Sequence, residues 1–165
     1  MTQSTSSPST DANHSEIRSQ DQQFVMQAAQ GGMAEVELGR LAMQKASSSV
    51  VKSFGQHMVK DHTQANNQLK QLASQKGIPI PTDTGTQNKA TKAGLSKLSG
   101  TAFDRALMNQ MVMDHQKTVS LFEKEAQQGQ DLEVKAWAAQ TLPTLRDHLR
   151  MALSTQHGVS HSSAR

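Results

Sequence analysis

From Gln23 to Gln156, apolar residues return every three or four positions, and that rhythm breaks in three places. A period near 3.6 marks helices that bury one stripe of their surface. The first break is the serine cluster Ser47-Ser48-Ser49, which offers N-cap residues. The last is Gly129. The middle one runs from Gly77 to Gly100, with Pro79 and Pro81 near its start, and is long for a connection inside a compact domain. The spacing predicts helices over about 23–45, 49–75, 102–128 and 131–156, with a crossover over 77–100 whose segment Asn88 to Leu98 forms a further short helix. Gly77 reads as the C-cap of the second helix, Thr101 with Asp104 as a capping box for the third, and Pro143 as a kink in the fourth.

Two tight breaks flanking one long one imply two antiparallel hairpins joined by a crossover, since an up-down-up-down bundle would need no such linker. The expected fold is therefore all-α, a ferritin-like four-helix bundle. Four Phe, one Trp and no Tyr leave the core to aliphatic residues and Met, which suits helix-on-helix packing. Residues 1–22 are rich in Ser, Thr, Gln and Asn and read as a disordered N-terminal tail, and residues 157–165 as a second short tail.

The absence of Cys removes disulfides, thiolate zinc sites, iron–sulfur clusters and cysteine nucleophiles. With 17 basic and 14 acidic residues the net charge is +3. The basic residues neither cluster nor interleave with aromatics, so no nucleic-acid partner is expected. No apolar run approaches the roughly 20 residues of a membrane helix, and the N-terminus has no apolar stretch of a signal peptide. No Gly-rich phosphate loop or nucleophile–base arrangement can be assigned, so the sequence leans away from an enzyme. A protein partner or homo-oligomer is left open.

The chemistry lies in a repeat. Helix two carries Met58-Val59-Lys60-Asp61-His62, helix three Met111-Val112-Met113-Asp114-His115, and helix four closes on Asp147-His148. His62 is four residues after Met58 and seven before Leu69; His115 is four after Met111 and seven before Phe122; His148 is three after Leu145 and four before Ala152. Each imidazole therefore lies on a core-facing stripe. On helix one Glu35 stands seven residues from both Ala28 and Ala42, whereas Glu37 is turned about 200° from it, toward water.

A buried carboxylate and three imidazoles need partners. One transition-metal ion (Zn, Fe, Mn or Cu) held by Glu35, His62, His115 and His148 would satisfy all four, with Asp61, Asp114 and Asp147 orienting imidazoles on adjacent helices. The alternatives are a hydrogen-bonded core with no ion, in a structural or interaction module of the bacterial envelope or stress response, and a metal-dependent oxidoreductase with an open coordination position. Met58, Met111 and Met151 stand one turn from the histidines and could offer thioethers to Cu(I), although Met is more often core filling. His57 pairs with Asp61 at i, i+4 on the solvated side, and His157 and His161 are bystanders.

The segments Glu35-Val36-x-Leu38-Gly39-x-Leu41-Ala42, Val51-Lys52-x-Phe54, Met58-Val59-x-Asp61-His62, Phe103-Asp104, Met111-Val112-x-Asp114-His115 and Leu142-Pro143-x-Leu145-x-x-His148-Leu149 resemble, in that order, the bacterial family called domain of unknown function 4142 (DUF4142). The resemblance covers residues 24–153. It implies a ferritin-like fold and, because many members are exported, a periplasmic or outer-membrane-associated setting, with no assigned biochemical role. The chain departs from the pattern in lacking a signal peptide, which leaves the cytoplasm open, and in replacing the usual Tyr after Phe-Asp. The paired Glu-x-x-His motifs of di-iron bundles are absent, so neither a ferroxidase nor a ferritin-type iron store is expected.

Overall fold

The computed structural model describes the backbone of residues 11–161 and the side chains of residues 19–161. Among them the chain forms five helices and no strand: α1 (Asp11–Lys45), α2 (Ser49–Lys76), α3 (Thr86–Ser96), α4 (Gly100–Gln128) and α5 (Leu132–His161). The long helices pair as hairpins, α1 on α2 and α4 on α5, and the hairpins join through α2 on α5 and α1 on α4. The short α3 lies on the crossover against α1 and α4. It buries Leu95 and is tied to α1 by Lys92 on Glu37 at 3.2 Å and by Lys45 Nζ donating to the Ser96 carbonyl at 2.8 Å. No helix among the described residues is long and apolar enough to cross a membrane.

Helix extends further at both ends than the sequence suggested. Helix α1 begins at Asp11, twelve residues before the expected start, and α5 continues to His161; residues 1–10 and 162–165 lie outside the described residues. Asp21, assigned above to the tail, is buried and accepts hydrogen bonds from the backbone N–H groups of Gln130 and Asp131 at 3.2 and 2.7 Å. It thereby holds α1 to the α4–α5 turn. At the other end Val159 is buried, and Arg105 Nε donates to its carbonyl at 3.4 Å.

The capping box at Thr101 is also corrected. Ser99 precedes α4 without a side-chain cap, and buried Asp104 instead reaches the α1–α2 connection. It accepts from Ser47 N–H, Ser47 Oγ–H and Ser48 N–H at 3.0, 2.7 and 2.8 Å. A carboxylate beside the α2 N-terminus satisfies free donors and favours the helix dipole. Gly77 caps α2 as expected, with φ 65° and its N–H on Ser74, while Ile78 N–H returns to Ala73. Helix α5 runs through Pro143 without interruption.

The core divides into two apolar clusters. One gathers Leu38, Leu41, Val51, Phe54, Met58, Phe103, Leu107 and Met111 with Ala152 and Val159. The other gathers Phe24, Val25, Leu69, Phe122, Val134, Trp137, Leu142 and Leu145. Along each long helix one buried polar residue falls between its contributions to the two clusters: Glu35 on α1, His62 on α2, His115 on α4 and His148 on α5. A polar layer crosses the bundle with apolar packing above and below it.

Candidate metal centre

His62, His115 and His148 each offer a ring nitrogen, and those three atoms lie within 4.8 Å of one another. Ring centroids are 5.1 to 5.8 Å apart. In two of them a hydrogen bond to one ring nitrogen selects the other as the free atom. His115 Nδ1 is 2.8 Å from the Met111 carbonyl, which can only accept, so Nδ1 carries the proton and Nε2 keeps its lone pair. His148 Nε2 is 2.8 Å from Asp61 Oδ2; by the same argument its Nδ1 is the unprotonated atom. These two unprotonated atoms, and His62 Nε2, are buried and have no hydrogen-bond partner among the described residues.

The electrostatics keep the rings neutral at pH 7. Burial lowers His62 well below the usual imidazole range, and the neighbouring His148 and His115 reinforce it. Burial brings His115 down to about 4, against the opposing hydrogen bond to Met111. Burial also lowers His148, although the hydrogen bond and charge of Asp61 work against it. Three neutral imidazoles with converging lone pairs are suited to coordination, which needs unprotonated nitrogen.

Glu35 is 6% exposed, and its Oε2 has no partner. Burial raises its pKa well above the carboxylate range, and the charge of Asp114 raises it further. Its carboxylate is not part of the converging group of three nitrogens. It lines, with His62 and His115, a cavity of about 40 Å³ next to them.

The three Asp residues separate. Asp61 bonds His148 across the α2–α5 interface. Asp114 bonds Gln110 of its own helix at 2.8 Å and faces the surface groove beside Glu35. Asp147 is exposed and pairs with Arg150. Neither of these two hydrogen-bonds an imidazole, because the residue before a core-facing position points about 100° away, and it meets a histidine only where a neighbouring helix presents one on that side. Met58 and Met111 are packed in an apolar cluster, and Met151 packs against it. His57, His157 and His161 are exposed.

Two contributors lay beyond the sequence reading. The Met111 carbonyl fixes the His115 tautomer, and a carbonyl gives no sequence signal. Trp137 lines the same cavity, and its Nε1 is buried without a partner; its position on the α5 stripe, eleven residues before His148, was the available clue.

The family model for the domain of unknown function DUF4142 matches residues 6–155. The chain belongs to the DUF4142 family. A crystal structure of a DUF305 fragment from Deinococcus radiodurans is similar at 20% identity, covering 84% of this chain and 95% of that one, with a TM-score of 0.73. That likeness speaks to the fold alone. No curated protein matches. In this DUF4142 chain the chemistry lies in the polar layer.

Proposed function

We propose that the protein is a ferritin-like bundle that binds one transition-metal ion in its core, through His62, His115 and His148, with Glu35 as the nearby carboxylate. The observation that carries the reading is three buried, neutral imidazoles that each offer a ring nitrogen within 4.8 Å of the others and that each keep one buried nitrogen without a partner. A structural hydrogen-bonded layer would pair these atoms with one another or with Glu35, because leaving a buried polar atom unpaired costs about 1–3 kcal/mol. Here His115 and His148 each pair one ring nitrogen and leave the other buried and unpaired, as His62 leaves its Nε2. Nitrogen and carboxylate donors suit Zn, Fe, Mn or Cu, and such an ion supplies Lewis-acid or redox chemistry when bound. The chain's own residues orient the imidazoles, hold them neutral and exclude bulk water. The cavity beside the histidines favours a metal-dependent oxidoreductase as the second reading, since a closed structural site would leave no such space. Many relatives are exported, and the periplasm is the proposed setting, to be checked by cell fractionation.

The test is elemental analysis of gently purified, untagged full-length protein beside the His62→Ala/His115→Ala double variant. About one equivalent of metal in the wild type, lost in the variant, is the expected result. Wild-type protein that arrives metal-free and takes up none of Zn, Fe, Mn or Cu would overturn the reading. The layer would then belong to a structural or interaction module.

A further inference from the structure

Four atoms around the 40 Å³ cavity share one property. Glu35 Oε2, His62 Nε2, His115 Nε2 and Trp137 Nε1 are all buried and unpartnered, and all four residues line it. Three of these atoms can accept a hydrogen bond or coordinate a cation. The indole N–H can only donate, so the metal reading explains the imidazoles and leaves Trp137 without a role. The cavity wall is mostly apolar, with these few polar atoms set into it, and an orphaned donor beside it calls for an acceptor inside. The volume admits a water, or a ligand of two or three heavy atoms.

We infer that this cavity is the seat of a small acceptor ligand of the size and chemistry of azide or hydroperoxide, bound at the histidine-held ion and receiving a hydrogen bond from Trp137 Nε1. The inference rests on the metal reading proposed above. Its geometry supplies the access route as well. A groove of about 420 Å³ on the α1–α4 surface shares Gln27, Gly31, Glu35, Thr118 and Leu121 with the cavity. Glu35, itself buried, lines both. The Gly31 position is open, with nothing within 4 Å of a Cβ added there, so a side chain can start from it without clashing with the core. Trp137 is held in place by edge contacts with Phe24 and a tilted contact with Phe122, at centroid distances of 6.1 and 5.3 Å. A phenylalanine there keeps an aromatic ring against Phe24 and Phe122, removes the donor and leaves a small void.

The experiment uses the full chain loaded with Cu(II), titrated with sodium azide and followed by the copper–azide charge-transfer absorption. The wild type should bind azide saturably. Trp137→Phe, with copper content unchanged, should bind it about 3- to 10-fold more weakly, the loss of one hydrogen bond. Gly31→Leu should slow the approach to saturation at least several-fold while leaving copper content intact. Copper-loaded protein that gives no azide band would overturn the inference and leave the metal reading standing. Equal affinity in wild type and Trp137→Phe would also overturn it. Failure to load copper or any other metal would instead sink the reading beneath it.

Discussion

Replacing His62 with Leu should make the metal-free protein more stable. His62 Nε2 is buried without a partner, and the ring lies between Met58 and Leu69, both fully buried on the same helix. Burial and the two neighbouring rings keep it neutral at pH 7, so the substitution removes no charge. It exchanges an unpaired polar atom, costing about 1–3 kcal/mol, for an apolar group of comparable volume. After about 1 kcal/mol is allowed for imperfect packing, the expected gain is about 1–2 kcal/mol. For a domain of this size that is roughly 2–8 °C in Tm. The assay is thermal and urea unfolding at pH 7 in chelator, then in Zn. At about a hundredfold excess over Kd, metal should stabilise the wild type by about 2.7 kcal/mol and His62→Leu by far less, so the order of stabilities reverses. A His62→Leu protein less stable than wild type in chelator would refute the reasoning, because the imidazole would then be making favourable bonds and the layer would be structural.

Asp61→Ala should lower metal affinity about 10- to 100-fold, measured against a competing chelator, because it frees His148 to rotate and lose its tautomer; Asp61→Asn, which retains an acceptor, should fall between, and unchanged affinity in both would deny Asp61 its orienting role. The metal-free protein should lose stability as pH falls from about 6.5 toward 4: His115 has its pKa lowered to about 4, so the unfolded chain takes up protons first, an effect of up to about 3 kcal/mol. His115→Leu should flatten that limb of a urea-denaturation profile. The alkaline limb has the opposite sign, for Glu125 is raised to about 8, first by burial and then by its hydrogen bond to Asp21 and the charges of Asp21 and Asp131. Its stabilising contribution is complete below about 4.5 and is lost as pH climbs through 8, so Glu125→Gln should stabilise at pH 9 relative to pH 5 by about 1–3 kcal/mol, read from denaturation midpoints. Gly55→Ala should destabilise by about 1–3 kcal/mol, since its Cβ would lie 2.6 Å from the Gly39 carbonyl oxygen and 2.8 Å from Ala42 Cβ. Gly94→Ala on exposed α3, with nothing within 4 Å, should stabilise by about 0.5–1 kcal/mol; equal thermal shifts in the two variants would contradict this account of the α1–α2 crossing.

The buried layer was legible in the sequence because it depends on phase alone. A residue four or seven positions from known stripe residues must share their face, whatever the neighbouring helices do. Glu35, His62, His115 and His148 needed no further information to be placed in the core. The aspartates did need it. All three precede a histidine and point about 100° off the stripe, yet only Asp61 meets an imidazole, because α5 presents His148 on that flank of α2. Asp114 faces a groove and Asp147 faces water. Asp21 and Asp104 failed as local readings for the same reason. One looked like tail and the other like a cap for its own helix, while each caps a connection more than fifty residues away in the chain.

That asymmetry bears on what the polar layer is for. A layer that existed to fix helix register would be expected to spend its hydrogen-bonding capacity across the bundle, as Asp61 does with His148. Instead His115 turns its protonated nitrogen to its own helix, His62 keeps Nε2 unpaired, and Glu35 does the same with Oε2. Apolar clusters seal the layer on both sides, so these atoms have little recourse to bulk water. The stability forgone in leaving them unpaired is the physical reason to look for a bound ion, and the His62→Leu comparison with and without metal measures it directly.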